Sequence, residues 1–203
     1  MTPANETQAR LRCAMDGRVF RASDARAVGV SRQAVYDLWH RGRLIRVGRG
    51  LFALGDLDLG PYETLAEAAA RVPNGIVCLL SALAFHGLTT QSPHEVWLAI
   101  PEKAWKPRPD DLPLRFVRFS GAAYHEGIEE HRVGRLVVRV YGPAKTVADC
   151  FKYRNKIGLD IALEALQDYW RQRPGSLDDL LRYARVCRVA NVMRPYIEAV
   201  TSQ

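Results

Sequence analysis

Eight side chains in one short stretch have the types and spacing to read a nucleic-acid duplex. Ser31, Arg32, Gln33 and Tyr36 fall close together, and Arg41, Arg43, Arg46 and Arg49 follow, spaced two or three residues from one another. A guanidinium fork pairs with O6 and N7 of guanine, and a Gln amide with N6 and N7 of adenine. Arg32 and Gln33 are therefore the candidates for base edges. The later arginines suit phosphates or the minor groove, because a planar guanidinium grips an anion with two parallel hydrogen bonds. Tyr36 has two open roles, contact with the duplex or packing against a neighbouring hairpin.

Other chemistries are less well served. Metal-assisted hydrolysis needs clustered carboxylates with a nearby Lys. The acid doublets are Asp110-Asp111, Glu129-Glu130 and Asp178-Asp179. Adjacent acids diverge on a strand or a helix, so each doublet is a poor clamp. Lys145 and Asp149 stand at i and i+4, a spacing that reads as a salt bridge. The histidines (40, 86, 94, 125 and 131) form no H-E-x-x-H pattern, and neither a G-x-S-x-G nor a phosphate-cradling glycine loop is present. Cys13, Cys78, Cys150 and Cys187 show no C-x-x-C pair. They read as reduced, mostly buried thiols of a cytoplasmic protein. The expectation is a chain without catalytic residues, metal or cofactor.

The elements that position the eight side chains follow from punctuation. Glu6 to Met15 is helical in composition, and Arg18 to Phe20 is extended. Ser23 before Asp24–Val28 and Gly29 after it predict a capped short helix. Ser31 opens Arg32 to Arg41, in which Val35, Leu38 and Trp39 share one face. Leu44 to Leu54, with Gly48-Arg49-Gly50 in the middle, reads as a β-hairpin. Helix, tight turn, helix and hairpin make a winged helix-turn-helix, in which the N-terminal residues of the second helix reach base edges. A module of this shape can also serve protein contacts, and its arginine density argues for DNA.

Gly55 to Pro61 is a connector, and the domain boundary is placed there, giving domains of residues 1–56 and 57–203. Beyond it, Tyr62–Val72 and Ile76–His86 read as helices, and Glu95–Ile100 and Leu114–Phe119 as strands around a Pro-rich link. Gly127–Tyr141 reads as a hairpin turning at Val133-Gly134. Pro143 opens a helix through Tyr153, and Leu159–Arg171, Leu177–Arg188 and Ala190–Val200 are three more helices. The fold class is α+β: an N-terminal winged helix-turn-helix, then a mixed α+β domain with a helical C-terminus. Tyr169, Trp170, Tyr183 and Tyr196 on the last helices could add a protein-contact surface.

Charge agrees with this division. The 203 residues carry a formal charge of +7, with 48% hydrophobic and 25% charged residues. That composition excludes a disordered, collagenous or disulfide-scaffold class. Residues 1–54 hold ten Arg, no Lys and four acids, so +6 of the +7 lies in the first quarter of the chain. The remaining residues are nearly neutral. The start of the sequence shows no apolar run of signal-peptide length, and no stretch is long and apolar enough to span a bilayer.

The stretch Gly29–Leu54, GVSRQAVYDLWHRGRLIRVGRGLFAL, resembles the winged-helix domain of AbiEi-type antitoxins, the regulatory partners in bacterial type IV toxin–antitoxin systems. The resemblance continues through Ser81–Thr89 (SALAFHGLT), Pro143–Phe151 (PAKTVADCF), Leu181–Cys187 (LRYARVC) and Met193–Tyr196 (MRPY), in order, over roughly residues 8–200. It implies a repressor of its own operon, a system associated with phage defence, that binds inverted repeats in double-stranded promoter DNA. It also implies an antitoxin that counters a nucleotidyltransferase-like toxin without a stable complex. On the family pattern Ser31, Arg32, Gln33, Tyr36, Arg41, Arg43, Arg46 and Arg49 touch the DNA, and no motif fixes an antitoxic site. The alternatives are a winged-helix regulator unconnected to a toxin, or a DNA-targeted nuclease.

Overall fold

A computed structural model describes residues 3–15, 19–54, 62–104, 106, 112–133, 136–172 and 176–202. Its contacts form two units, Met1–Pro73 with Arg132–Val138, and Asn74–His131 with Arg139–Gln203. The expected connector at Gly55–Pro61 lies outside the described residues.

The first unit runs α1 (Pro3–Met15), β1 (Phe20–Arg21), a 3-10 helix (Asp24–Val28), α2 (Arg32–His40), β2 (Leu44–Gly48), β3 (Leu51–Leu54) and α3 (Glu63–Arg71). Its antiparallel sheet has the order β1-β3-β2. Leu11, Phe20, Ala25, Val35, Leu38 and Phe52 are buried at its centre, so the period-3.6 face of α2 meets the period-2 face of the hairpin. Gly29 closes the 3-10 helix with φ +73°, a left-handed conformation that Gly adopts without steric cost. The Ser23 cap does not form. Ser23 itself has helical backbone, and Asp24 takes over the turn by accepting the Arg21 N–H at 2.8 Å.

A division at residue 56 would assign α3 to the second domain, whereas packing puts it with the first unit. Gly48 on β2 lets the Glu67–Arg71 ion pair of α3 come close, since a Cβ there would sit 2.6 Å from Glu67 Oε1.

The second sheet is mixed, in the order β6-β5-β4-β8-β7. Its strands are β4 (Ile76–Val77), β5 (Val96–Pro101), β6 (Leu114–Phe119), β7 (Ile128–Val133) and β8 (Leu136–Tyr141). β4 pairs antiparallel with β5 and parallel with β8, and β5 pairs parallel with β6. The helices are α4 (Leu79–His86), α5 (Ala122–His125), α6 (Pro143–Lys152), α7 (Arg154–Ile157), α8 (Leu159–Gln172), α9 (Leu177–Val186) and α10 (Ala190–Thr201). The helix expected over Ile76–His86 starts three residues late. Ile76 and Val77 are claimed by the sheet, opposite Ala99 and Leu98, and the chain turns into α4 through Leu79 at φ +47°. The single-turn helices α5 and α7 are too short to leave a periodic signal.

α6 is the axis of this unit, buried from Pro143 to Phe151. Lys145 and Asp149 lie on it with no exposed surface, Nζ 2.5 Å from Oδ2. The other Asp149 oxygen accepts the thiol of Cys187, the residue that follows α9, at 3.1 Å. Lys145 Nζ also stands 4.1 Å from the Tyr141 ring centre and 5.0 Å from that of Phe119. Burial lifts the Asp149 carboxyl above its ordinary range, even with Lys145 and the Cys187 thiol pulling the other way.

Removing one partner leaves an uncompensated buried charge, so Lys145→Met is expected to cost about 3–5 kcal/mol in denaturant unfolding. Lys145→Met combined with Asp149→Leu should recover most of that loss. A single variant as stable as the wild type would show that the pair does not hold this unit together.

Candidate nucleic-acid interface

Ser31 has extended backbone (φ −69°, ψ 154°), and its Oγ accepts the Ala34 N–H at 3.1 Å. It is the N-cap expected of it and fixes where α2 begins. Ser31, Arg32 and Gln33 are exposed together at this helix N-terminus, where free N–H groups and the helix dipole favour an anion. Gln33 donates its amide to Asp37 Oδ1 at 3.0 Å, one turn along the same exposed face.

The arginines divide into three groups. Arg41 sits at the C-terminal end of α2, its N–H bonded to the Asp37 carbonyl at 3.1 Å. Arg43 turns to α1, donating to Gln8 Oε1 at 2.8 Å and Asn5 Oδ1 at 3.3 Å. Arg46 and Arg49 belong to the wing, Arg46 on β2 and Arg49 in the turn to β3, both exposed.

Arg46 pairs across the strands with Phe52, next to the register shift between Arg46 and Gly48. Its guanidinium carbon stands 5.1 Å from the centre of the Trp39 ring, and its Nε donates to the Gly48 carbonyl at 3.3 Å. Trp39 and Tyr36 meet edge to face at 6.1 Å, and both pack on buried Phe52, at 6.2 and 5.3 Å. Arg32 lies over the opposite end of this ladder, 5.6 Å from the Tyr36 centroid. One aromatic cluster therefore carries an arginine from the start of α2 and an arginine from the wing.

Five of the eight expected residues keep side chains at an exposed helix end or wing: Ser31, Arg32, Gln33, Arg46 and Arg49. Arg41 is exposed at the far end of α2. Arg43 is engaged with α1. Tyr36 is half-buried and packs on Phe52. The sequence assigns Trp39 only to the buried face. The structure leaves it half-exposed at the seam between helix and wing, a position that sequence spacing alone does not distinguish from core.

Among the described residues, no group of three or more His, Cys, Asp and Glu is arranged to hold a metal. No described helix is long and apolar enough to cross a membrane. The Lys145–Asp149 pair is sealed from solvent.

Residues 11–55, from the middle of α1 to the end of the wing, match the family model described as "Transcriptional regulator, AbiEi antitoxin". The N-terminal segment is thus similar to that of a transcriptional-regulator family. A search of curated proteins gave no match.

The cap makes a prediction of its own. Ser31→Ala should destabilise the protein by about 1 kcal/mol, whereas Ser31→Asn should leave stability nearly unchanged, because Asn supplies the same acceptor. Thermal and denaturant unfolding of the two variants check this.

Proposed function

We propose, with the regulator family of residues 11–55 as premise, that this protein represses its own operon and serves as the antitoxin of a type IV system. Residues 1–56 bind inverted repeats in double-stranded promoter DNA, with α3 bracing the wing. Residues 57–203 counter a nucleotidyltransferase-like toxin, without a lasting complex between the two proteins. The site of action is the bacterial cytoplasm, where operon DNA is found. The observation that carries this reading is the exposed N-terminus of α2, with Arg32 and Gln33 beside a wing bearing Arg46 and Arg49. An α-helix of this kind fits the major groove, and arginines beside it suit phosphates.

The test is a gel-shift titration with DNA from upstream of the protein's own coding sequence and with a mixed-sequence duplex. The wild type should prefer the upstream DNA. Equal affinity for both at moderate salt would sink the repressor reading. Each phosphate neutralised adds about −0.9 to the slope of log K against log salt. Arg46→Gln with Arg49→Gln should therefore weaken binding to both duplexes and flatten that slope. Arg32→Ala or Gln33→Ala should instead narrow the gap between the two duplexes, by about 1–3 kcal/mol for a lost bidentate base contact.

The antitoxin half is tested separately. Growth arrest by the nucleotidyltransferase-like protein encoded beside this chain should be relieved by co-expressing the full chain. It should also be relieved by an Arg46→Gln/Arg49→Gln variant that no longer represses. Failure of both to relieve arrest would leave a regulator unconnected to that toxin.

A further inference from the structure

Trp39 is the residue that joins the helix of the interface to its wing. It lies in the last turn of α2, packs on Phe52 of β3, and carries the guanidinium of Arg46 from β2 on its face at 5.1 Å. Arg46 is held a second time by its own Nε donating to the Gly48 carbonyl at 3.3 Å. A guanidinium stacked by its face still has N–H donors along its edge, and those donors are the ones that bind phosphate. A side chain already fixed in its binding pose loses less freedom on association.

We propose that Trp39 is a positioning residue for duplex binding. It holds the wing arginine Arg46 in register with the N-terminal residues of α2, so that helix and wing engage one duplex as a preformed unit. This rests on the duplex-binding reading above. Nothing in the family match assigns Trp39 a role, and the ring need not touch DNA. The competing explanation is that Trp39 only fills space at the seam. In that case its loss loosens the whole wing, and Arg49 suffers along with Arg46.

A double-mutant cycle on the full chain separates these explanations. Affinity is measured by fluorescence anisotropy with a labelled duplex from upstream of the coding sequence, for wild type, Trp39→Leu, Trp39→Phe, Arg46→Gln, Arg49→Gln and the pairwise combinations. Trp39→Leu should weaken binding about two- to five-fold, the worth of one surface cation–π contact. Arg46→Gln should then cost less in the Trp39→Leu background than in wild type, while the cost of Arg49→Gln stays the same. Trp39→Phe, which keeps an aromatic face, should restore most of the affinity. Penalties of Trp39→Leu and Arg46→Gln that simply multiply would overturn the proposal, as would an equal shrinkage of the Arg49→Gln penalty. If Trp39→Leu does not fold, the same cycle with Trp39→Phe decides by the same criterion, with a smaller coupling expected. A wild type that binds no duplex would remove the duplex reading and this proposal together. A wild type that binds with multiplying penalties would remove the role of Trp39 alone.

Discussion

The Lys145–Asp149 ion pair is the constraint around which the second unit is arranged. Two opposite charges with no solvent contact are costly to bury, and their mutual attraction offsets that cost only when the remaining polar atoms also find partners. Here they do. Asp149 accepts the Cys187 thiol from the end of α9, just past its last residue, and the Lys145 ammonium faces the rings of Tyr141 and Phe119 from β8 and β6. Tyr141 continues the arrangement outward. Its hydroxyl donates to the Tyr124 carbonyl at 2.8 Å, and its own carbonyl accepts the Thr146 hydroxyl and meets His86 Nε2. Gly127 completes it, because a Cβ there would stand 2.8 Å from Lys145 Cβ. Turning α6 about its axis would break the Thr146 bond to Tyr141 and the Asp149 bond to Cys187. The same burial pushes the thiols of Cys78, Cys150 and Cys187 above their ordinary range, which keeps them as uncharged packing groups rather than nucleophiles.

The first unit handles charge in the opposite way. Its cluster of buried residues is wholly apolar, and its described arginines, apart from Arg71 in the part-buried pair with Glu67, stay at the surface. Among the described residues, the fully buried polar side chains are Ser81, Lys145, Thr146 and Asp149, all in the second unit. A small core without buried charge needs other means to fix its geometry. The Ser31 cap, the Gly29 turn and the aromatic contacts of Phe52 supply them. Each acts on the position of α2 relative to the hairpin, which is the relation that a duplex reader must keep constant.

Much of this was legible in the sequence. Ser31 and Gly29 mark the ends of elements through local backbone chemistry, so their signals need no knowledge of the fold. The β-branched and apolar run Leu44–Leu54 around its glycines, and the run Leu114–Phe119, read as strands for the same reason. What was not legible depends on contacts distant in sequence. Ile76 and Val77 look like the start of an apolar helix until Ala99 and Val140 pair with them. The bond from the exposed Arg43 guanidinium to Gln8, far earlier in the chain, is of the same kind. Lys145 and Asp149 were readable as a pair, but their burial was not, because i,i+4 spacing is the same on a surface helix and in a core. Trp39 shares a helical face with Val35 and Leu38, and only the path of the wing decides that its outer surface stays available to Arg46.

The site residues and the fold residues of the first unit are therefore not separate sets. Ser31 is both a candidate contact and the atom that starts α2. Tyr36 and Trp39 face the core on one side and carry Arg32 and Arg46 on the other. In a unit this small, few side chains can be dedicated to binding alone, because most of those next to the interface are also needed to close the core. An arginine resting on an aromatic ring resolves the conflict: the ring contributes its buried edge to stability, and its exposed face sets where a positive charge will stand. The same arrangement suits arginine rather than lysine at positions 32 and 46. Only a planar cation can stack on such a face while its edge remains free to grip a phosphate.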